Sequence, residues 1–458
     1  MRTSVPSEAR PGSAIPAQAY PRDLALLVKQ RWSEMAPSSS GDWAGTELES
    51  ALPNPWGLEQ LLSVCYQASL LHEENRPVTF RLALAKPESF AAVGGPPAGF
   101  HRLVFSGPRP FDQHELRRLA PAASFERSLI GVQCSVEHEL SVWGLVHSGP
   151  DWLRAARGGR GIGQMVAPVL MVAVSGPGRV LVSKGTRTLA VLAGGTLIDL
   201  ATDVFAAPWL ATVFENLYAA QWAEHTKWLK RTSASRSSLA PAFGRRLHEH
   251  VLRRVVATIR GTRHGGTLII LPESGARQQV TDGSYFKLKY QFCDEEPRRR
   301  IFSLTIRIMN ELTKLKPPGP EPGATVGWAE YQTVTGTNLA ALDEALFEVA
   351  HFVAMLADVD GAVVLTDRLE VLGFGAEVSG ALPEVESVNR SLNALGTECS
   401  NERTDRVGTR HRSSYRLCQQ LHDALVIVVS QDGGVRFVRW QEGAVTYFDQ
   451  IATGPWEV

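Results

Sequence analysis

Two short segments in the last quarter of the sequence combine the residue types that phosphate and metal chemistry requires. Residues 407–415 read VGTRHRSSY, in which a glycine and a threonine precede two arginines and a histidine. Residues 360–365 read DGAVVL, in which Asp360 and Gly361 precede an apolar run. The later segment offers cationic donors and the earlier one offers a carboxylate, so the two are interpreted together.

A helix is predicted directly after Gly408. Leu417, Cys418 and Leu421 share one helical face, and Thr409 is predicted to cap the helix N-terminus. Backbone N–H groups and the helix dipole favour a phosphate at the first turn, and the arginine side chains match phosphate oxygens in pairs. Because Gly408 has no Cβ, the backbone there allows a ligand to approach closely. The pattern predicts an anion site.

The elements around both segments predict the strand ends of an α/β sheet. Residues 423–430 form a β-branched run that is typical of a strand buried on both faces, and Ser430 lies at its end. Apolar residues recur at helical spacing over residues 339–353, and the chain then passes through Asp360 into the apolar strand 362–365. Open α/β sheets bind ligands at strand ends, where a carboxylate is able to ligate Mg²⁺ or Mn²⁺. The combination favours phosphoryl or nucleotidyl transfer.

These segments resemble the DGA and GTRHR motifs of the diadenylate cyclase (DAC, DisA-type) family. The resemblance lies in residues 360–362, 373–376, 408–412 and 428–430, which occur in the family's order and roughly at its spacing. A helix predicted over residues 245–260 and a strand over 266–271 extend it to about residues 241–450. The resemblance implies a mixed-sheet α/β fold that condenses two ATP molecules into cyclic di-AMP and pyrophosphate, with two domains meeting face to face as a homodimer or higher homo-oligomer.

The resemblance also implies roles for individual residues. Asp360 would bind Mg²⁺ or Mn²⁺ and help to activate the ribose 3′-hydroxyl. The residues with implied catalytic roles are Asp360, Gly361, Arg410 and His411. The residues implied to bind the nucleotide are Ala362, Gly408, Thr409, Arg412, Ser413 and Ser430. Arg412 would support either its own loop or the facing subunit.

Other interpretations of the same residues stay open. In the simplest one, Asp360 caps a turn and the basic cluster is a solvated helix start. In another, the domain is a catalytically weak or inactive nucleotide-binding sensor or receptor. A hydrolase is the weakest alternative, because the sequence has no G-x-S-x-G and no H-E-x-x-H motif. Asp360 favours an enzyme, since a receptor that only holds phosphates has no obvious use for a carboxylate there.

Two parts of the chain depart from the family pattern. Residues 274–337 are predicted to contain an insertion, and residues 383–406 are predicted to form a polar loop between the two motifs. Both put catalytic efficiency in doubt more than nucleotide binding.

Composition sets broad limits on the partners and the compartment. The 458 residues predict two to three domains, and 44% hydrophobic with 21% charged residues is ordinary for a soluble globular protein. The net charge of zero does not favour nucleic acid or an anionic membrane as the main partner. Five scattered cysteines without a C-x-x-C pair fit the reducing cytoplasm. The longest apolar run, residues 165–174, is too short to span a bilayer, and the chain is predicted to be cytoplasmic.

Four regions are predicted along the chain. They are a flexible tail over residues 1–20, an N-terminal α+β, mostly β domain over 21–230, a serine-rich linker over 231–240, and the DAC-like domain over 241–458. The N-terminal domain resembles the regions that precede some DAC domains and are taken to be sensors, with an unknown ligand or protein as partner. Its strands are predicted over residues 78–85, 101–105, 128–136, 140–146, 170–174, 179–183 and 188–192.

Several motifs are interpreted as structural. Residues 158–163, GGRGIG, fit no phosphate-loop pattern and are predicted to be a flexible turn. His138 and His147 lack neighbouring ligands at metal spacing, and Trp143 between them is predicted to lie in the core. Residues 261–264, GTRH, repeat part of the later motif but are predicted to be a loop.

Overall fold

The computed structural model divides the chain into two compact units. One unit comprises residues 1–90, 102–146 and 166–199, and the other comprises residues 200–458 with 91–101 and 147–165. The predicted turn at residues 158–163, His138 and most of the predicted tail lie outside the described residues. The structure describes residues 18–34, 52–90, 95, 100–125, 127–135, 137, 139–148, 169–185, 187–198, 203–232, 237–315, 325–334, 336–380, 382–431 and 433–450.

The first unit is built on an eight-stranded sheet in the order β10-β9-β8-β7-β3-β5-β6-β4. Its strands are β1 His72–Glu73, β2 Arg76–Pro77, β3 Phe80–Leu84, β4 His101–Pro110, β5 Ser128–Cys134, β6 Leu140–His147, β7 Leu170–Gly176, β8 Arg179–Lys184, β9 Arg187–Ala193 and β10 Thr196–Ile198. Its helices are α1 Pro21–Glu34, α2 Pro55–Ser69 and α3 Gln113–Leu119, with a 3-10 turn at Pro87–Ser89. The predicted strands of this region are confirmed to within a few residues, apart from β4, which runs five residues further than predicted.

The core of the first unit forms where α1 and α2 cover one face of the sheet. Leu24 and Val28 of α1 and Leu61 and Cys65 of α2 are fully buried against the apolar side chains of β3 and β7. Trp143 is also buried, and its indole N–H donates to the carbonyl of Ala85 at 2.8 Å, so that its predicted place in the core is confirmed.

The second unit is built on a nine-stranded sheet in the order β13-β16-β15-β12-β19-β20-β21-β17-β18. Its strands are β11 Ser238–Leu239, β12 Gly266–Leu271, β13 Phe286–Gln291, β14 Thr325–Val326, β15 Ala362–Thr366, β16 Val371–Val378, β17 Ser387–Ser391, β18 Cys399–Arg403, β19 Leu425–Val429, β20 Val435–Gln441 and β21 Ala444–Gln450. Its helices are α4 Pro208–Val213, α5 Glu215–Arg231, α6 Phe243–Thr262, α7 Glu273–Asp282, α8 Glu295–Arg298, α9 Arg300–Leu312, α10 Trp328–Thr333, α11 Thr337–Leu356 and α12 Thr409–Gln420, with a 3-10 turn at Val204–Ala206.

Helices cover both faces of the central strands in this sheet. Alternate residues such as Leu268 and Val363 face the core that α6, α9 and α11 share. Their neighbours Ile269 and Val364 face the core on the side of α12. β12 runs parallel to β15 and antiparallel to β19. The predicted fold class, a mixed α/β sheet flanked by helices and preceded by a mostly β region, is confirmed.

Residues 208–231 belong to the core of the second unit, whereas the sequence analysis placed them in the N-terminal domain. Leu210, Phe214 and Leu217 are fully buried in the same core as Phe243 and Leu247 of α6. The helix predicted here is also divided in two, since Phe214 separates α4 from α5. The apolar side chains of these helices pack in the core that α6 and α9 form, rather than on the strands that precede them in sequence.

The predicted insertion over residues 274–337 and the predicted polar loop over residues 383–406 both contain regular structure. Within the predicted insertion, α9 buries Ile301, Leu304, Ile308 and Leu312 in the core beside α6 and α11. The predicted polar loop over residues 383–406 contains the strands β17 and β18, which pair with each other while β17 also pairs with β21. Backbone pairing at a sheet edge explains these strands, which lack an apolar pattern. Among the described residues, no helix has the length and apolar character needed to cross a membrane.

Acid is expected to destabilise the second unit through His248 on α6. Burial lowers the pKa of His248 to about 3 from an ordinary value of 6.5, so the unfolded chain binds one more proton than the folded chain between these values. Stability therefore falls as pH drops below about 6.5, by about 1.4 kcal/mol per pH unit for this group. His250, whose pKa is lowered by burial and by Arg254, adds to the effect.

Urea unfolding between pH 4.5 and 7, read by hydrogen exchange in α6, measures this dependence. His248→Asn keeps an acceptor for the hydroxyl of Tyr218, which lies 3.0 Å from Nδ1. This variant is expected to reduce the fall in the free energy of unfolding below pH 6.5 by the contribution of one proton. If the free energy of unfolding of this variant falls with pH as steeply as that of the wild type, His248 is not a source of the acid sensitivity.

Candidate functional site

The structure places both predicted segments at one end of the nine-stranded sheet. Gly266 at the start of β12 pairs with Val429 at the end of β19. Leu268 pairs with Val363 in the parallel strand β15, so β15 starts at the same edge. Neighbouring strands lie about 4.8 Å apart, and β12 lies between β15 and β19. The start of β15 and the end of β19 are therefore about 10 Å from each other.

The turn formed by residues 262–265, between α6 and β12, joins the two segments. The Thr262 hydroxyl donates to Oδ1 of Asp358 at 2.9 Å, two residues before Asp360. On the other side, Nη1 of Arg410 donates to the carbonyl oxygen of His264 at 3.1 Å. One short turn therefore contacts the loop that carries the carboxylate and the helix that carries the cationic cluster.

Glycine is required at position 265 in this turn. Gly265 has a φ of +68°, and a Cβ placed there would lie 2.6 Å from the carbonyl oxygen of Val429 and 2.7 Å from Nη1 of Arg410. Arg263 also has a left-handed backbone, with φ 59°. The prediction that residues 261–264 form a loop holds only for Arg263 and His264, because Gly261 and Thr262 end α6. The sequence analysis missed the contribution of this turn to the site, although its position directly before a buried strand is a signal of a strand-end site.

Asp360 is presented at the surface by a tightly packed loop. Its side chain is exposed, and Gly361 follows with φ +114°. A Cβ at Gly361 would lie 2.5 Å from the backbone carbon of Gly375 on β16, so the backbone of the two strands approaches too closely for any other residue. Ala362 is buried at the start of β15, and its side chain packs in the core on the side of α12.

An ion pair that the sequence analysis missed lies beside Asp360. Nζ of Lys289 on β13 is 2.7 Å from Oε1 of Glu377 on β16. The hydrogen bond that Lys289 donates to Glu377 raises the pKa of Lys289, and the charge of Asp360 raises it further. β13 and β16 pair over a separation of many residues, and neither strand carries a motif that predicts this contact.

The second segment begins α12 with one correction to the prediction. Gly408 is the N-cap residue and makes no side-chain cap, so the prediction that Thr409 caps the helix is wrong by one position. Glycine is acceptable at an N-cap, and the first turn is closed by Arg412 N–H, which donates to the carbonyl of Gly408 at 3.2 Å. The first N–H groups of a helix have no partner within it. As N1, Thr409 presents an exposed hydroxyl beside them.

The other residues of this segment differ in exposure. Arg410 and Arg412 are exposed, and His411 and Ser413 are partly exposed. Ser430 closes the turn between β19 and β20, where its hydroxyl donates to the carbonyl of Gly434 at 3.2 Å. The structure thus gathers the helix start and Ser430 at one sheet edge, with Ser430 taking part in the backbone turn as well.

The donor set fits a divalent ion that arrives with a nucleotide. Within the part of the chain that the structure describes, no three His, Cys, Asp or Glu side chains are grouped to hold a metal ion. Asp360 is exposed, and the carboxylate of Glu377 beside it is paired with Lys289. Mg²⁺ is commonly bound by one or two carboxylates together with substrate phosphates and water. Asp360 suits that arrangement and does not suit a site made of protein ligands alone.

Comparison with known families identifies a region of the first unit. Residues 47–147, less than a quarter of the chain, match a family described as a probable sensor domain, DACNV, which is named for its association with DAC proteins. Among the described residues, this segment contains α2, α3 and the strands β1 to β6. No match to the DAC catalytic domain accompanies it. No curated protein matches the chain.

Gly361→Ala is expected to destabilise the loop that carries Asp360. The added Cβ meets the backbone of Gly375 and the residue must keep a left-handed φ, which together are expected to lower the free energy of unfolding by about 2 kcal/mol or more. Urea unfolding read by hydrogen exchange in β15 and β16 measures the change. Gly275→Ala is the matched control, because a Cβ at this helical glycine has nothing within 4 Å and is expected to be neutral or stabilising. Equal effects of the two substitutions would contradict the close approach.

Proposed function

We propose that this chain is a diadenylate cyclase, which condenses two ATP molecules into cyclic di-AMP, with an N-terminal sensor region that regulates it. The observation that carries the proposal is the joint placement of Asp360 and the start of α12 at one sheet edge, held by the same 262–265 turn. The match of residues 47–147 to a sensor family associated with DAC proteins supports the same assignment.

The start of α12 would hold the triphosphate. Thr409, Arg410 and His411 supply first-turn N–H groups, and the positive end of the helix dipole favours the anion. The carbonyl of His264 takes one N–H of the Arg410 guanidinium and so fixes the plane of the group. A guanidinium has five N–H donors, so a phosphate can still be bound in a bidentate manner.

Asp360 would hold Mg²⁺ or Mn²⁺ together with phosphate oxygens of the substrate. When bound, the ion would neutralise phosphate charge and favour ionisation of the ribose 3′-hydroxyl. The Asp360 carboxylate would also orient that hydroxyl towards the neighbouring nucleotide. Lys289 and Glu377 lie beside Asp360 and would set the local charge in which this proton is lost.

The chemistry requires two such sites facing each other. The 3′-oxygen of each ATP attacks the α-phosphorus of the other, the bond from that phosphorus to the bridging oxygen of the β-phosphate breaks, and pyrophosphate leaves from each nucleotide. Two 3′,5′-phosphodiester bonds form and two pyrophosphates are released. The protein contributes position and charge neutralisation. One domain holds one ATP, so a homodimer with a two-fold axis is the smallest active unit.

Purified chain incubated with ATP and Mn²⁺ or Mg²⁺ is expected to form cyclic di-AMP and pyrophosphate, detected by chromatography. Asp360→Asn and Arg410→Ala are each expected to lower the rate by about 100-fold, since each removes a group that stabilises charge in the transition state. The controls Asp423→Asn and Arg246→Ala change exposed side chains of the same types, at the opposite edge of the sheet and at the far end of α6, and are expected to leave the rate unchanged.

Product formation by Asp360→Asn at the wild-type rate would contradict the cyclase assignment. Absence of product from a dimer that still binds ATP would favour the alternative, a nucleotide-binding receptor.

The rate per chain is expected to rise with protein concentration until the dimer is fully formed. Dilution below the dimer dissociation constant separates the two sites, and each isolated site lacks its second substrate. Activity measured across a dilution series, beside sedimentation velocity at the same concentrations, tests this. A chain that sediments as a monomer and cyclises ATP at a constant specific rate would overturn the face-to-face scheme.

A further inference from the structure

A cavity of about 350 Å³ lies between α5 and α6, at the end of α6 away from the 262–265 turn. Its walls include Tyr218, Gln221 and Trp222 of α5, Gly244 and Arg245 of α6, and Met309 of α9. The helical rise of 1.5 Å per residue puts Arg245 about 25 Å from Thr262 along α6. The cavity is therefore separate from the candidate nucleotide site, and a volume of this size suits a small organic ligand.

A buried polar group in the wall of the cavity lacks a partner. Gln221 is 2% exposed, and its Oε1 has no hydrogen-bond partner among the described residues. The same oxygen lies 3.6 Å from the position that a Cβ would take at Gly244. A buried acceptor without a donor destabilises a fold, so in a native protein such a group calls for an explanation, for example a bound group that completes the bond. The Oε1 atom of Gln221 is therefore an acceptor to which an N–H or O–H group of a ligand can donate.

Aromatic and cationic side chains surround this amide. Tyr218 and Trp222 are four residues apart on α5 and so share a face. The Tyr218 hydroxyl lies 3.0 Å from Nδ1 of His248, which fixes the ring, while Trp222 is 40% exposed. Arg245 is half exposed, and its contact with Glu249 is 3.7 Å long, a pair that contributes little at a surface. Its charge is available to an acidic ligand.

We infer that this cavity binds a small heteroaromatic acid, in which a planar ring carries an N–H donor and a carboxylate. The ring packs against Tyr218 and Trp222, the N–H donates to Gln221, and the carboxylate pairs with Arg245. Aromatic faces, one amide and one cation are the groups that recognise such a molecule. The inference does not depend on the proposed cyclase activity.

Isothermal titration of the full chain with indole-3-carboxylate tests the site, because this probe has the ring, the N–H and the carboxylate. Saturable binding is expected. The comparators 1-methylindole-3-carboxylate, which lacks the N–H, and indole, which lacks the carboxylate, are each expected to bind about 10-fold more weakly, the loss that one hydrogen bond or ion pair gives. Cyclohexanecarboxylate, which has no aromatic ring, is expected not to bind.

Variants assign the contacts. Gln221→Met and Arg245→Gln are each expected to weaken indole-3-carboxylate about 10-fold, and Trp56→Ala, which changes an exposed tryptophan on α2, is the control expected to leave affinity unchanged. Gln221→Met is also expected to raise the thermal midpoint, because it replaces an unpartnered buried amide with an apolar chain of similar shape. A structural role for Gln221 would give the opposite shift.

Three results would overturn the inference. They are no saturable binding of indole-3-carboxylate up to about 10 mM, binding that Gln221→Met and Arg245→Gln leave unchanged, and a lowered thermal midpoint in Gln221→Met.

Discussion

The C-terminal turn of α6 is the constraint on which the site depends. A helix ends with carbonyl groups that have no partner within it, and residues with left-handed backbone commonly close such ends. Here Arg263 and Gly265 close the end of α6 with positive φ, and the His264 carbonyl that the turn exposes accepts a hydrogen bond from Arg410. Thr262 of the same turn contacts Asp358. These two bonds connect the start of α12 and the loop before Asp360 to one turn, while Tyr415, Leu417 and Cys418 pack α12 onto the sheet.

The sheet explains why the chemistry is confined to this edge. β12, β15 and β19 are buried on both faces, between α6 and α11 on one side and α12 on the other. Side chains along these strands are committed to packing, so only the residues at strand ends are free to meet a ligand. At this edge an exposed carboxylate and an exposed cationic helix start are separated by a single strand. Such a pair suits a metal-bound phosphate better than it suits either an anion or a cation alone.

Sequence patterns predicted the helices and strands whose apolar residues recur with a regular local period. The helices α6, α11 and α12, the buried runs of β12, β15 and β19, and the strands of the first unit follow from apolar spacing and turn residues. The resemblance to the DAC family pairs Asp360 with residues 408–412, and the structure places both segments at one edge of the sheet.

The contacts that sequence patterns could not supply are non-local. The pair Lys289 and Glu377 forms across two strands that are distant in sequence, and the Arg410 contact is a bond to a carbonyl, which no residue type encodes. The sequence analysis assigned α4 and α5 to the N-terminal domain because they follow it in sequence, whereas their apolar side chains pack with α6 and α9. The cavity beside Gln221 could not be predicted for a related reason. Helical periodicity identifies apolar faces, and it does not identify a polar residue that is buried between two helices.

A double-mutant cycle on ATP affinity tests most directly whether the two segments form one site. ATP dissociation constants would be measured in Mn²⁺ for the wild type, Asp360→Asn, Arg410→Ala and the double variant. If one metal-bound triphosphate joins Asp360 to Arg410, the two effects are coupled, with an interaction free energy above about 0.5 kcal/mol. Strictly additive effects, or ATP binding that neither substitution alters, would contradict a shared nucleotide site.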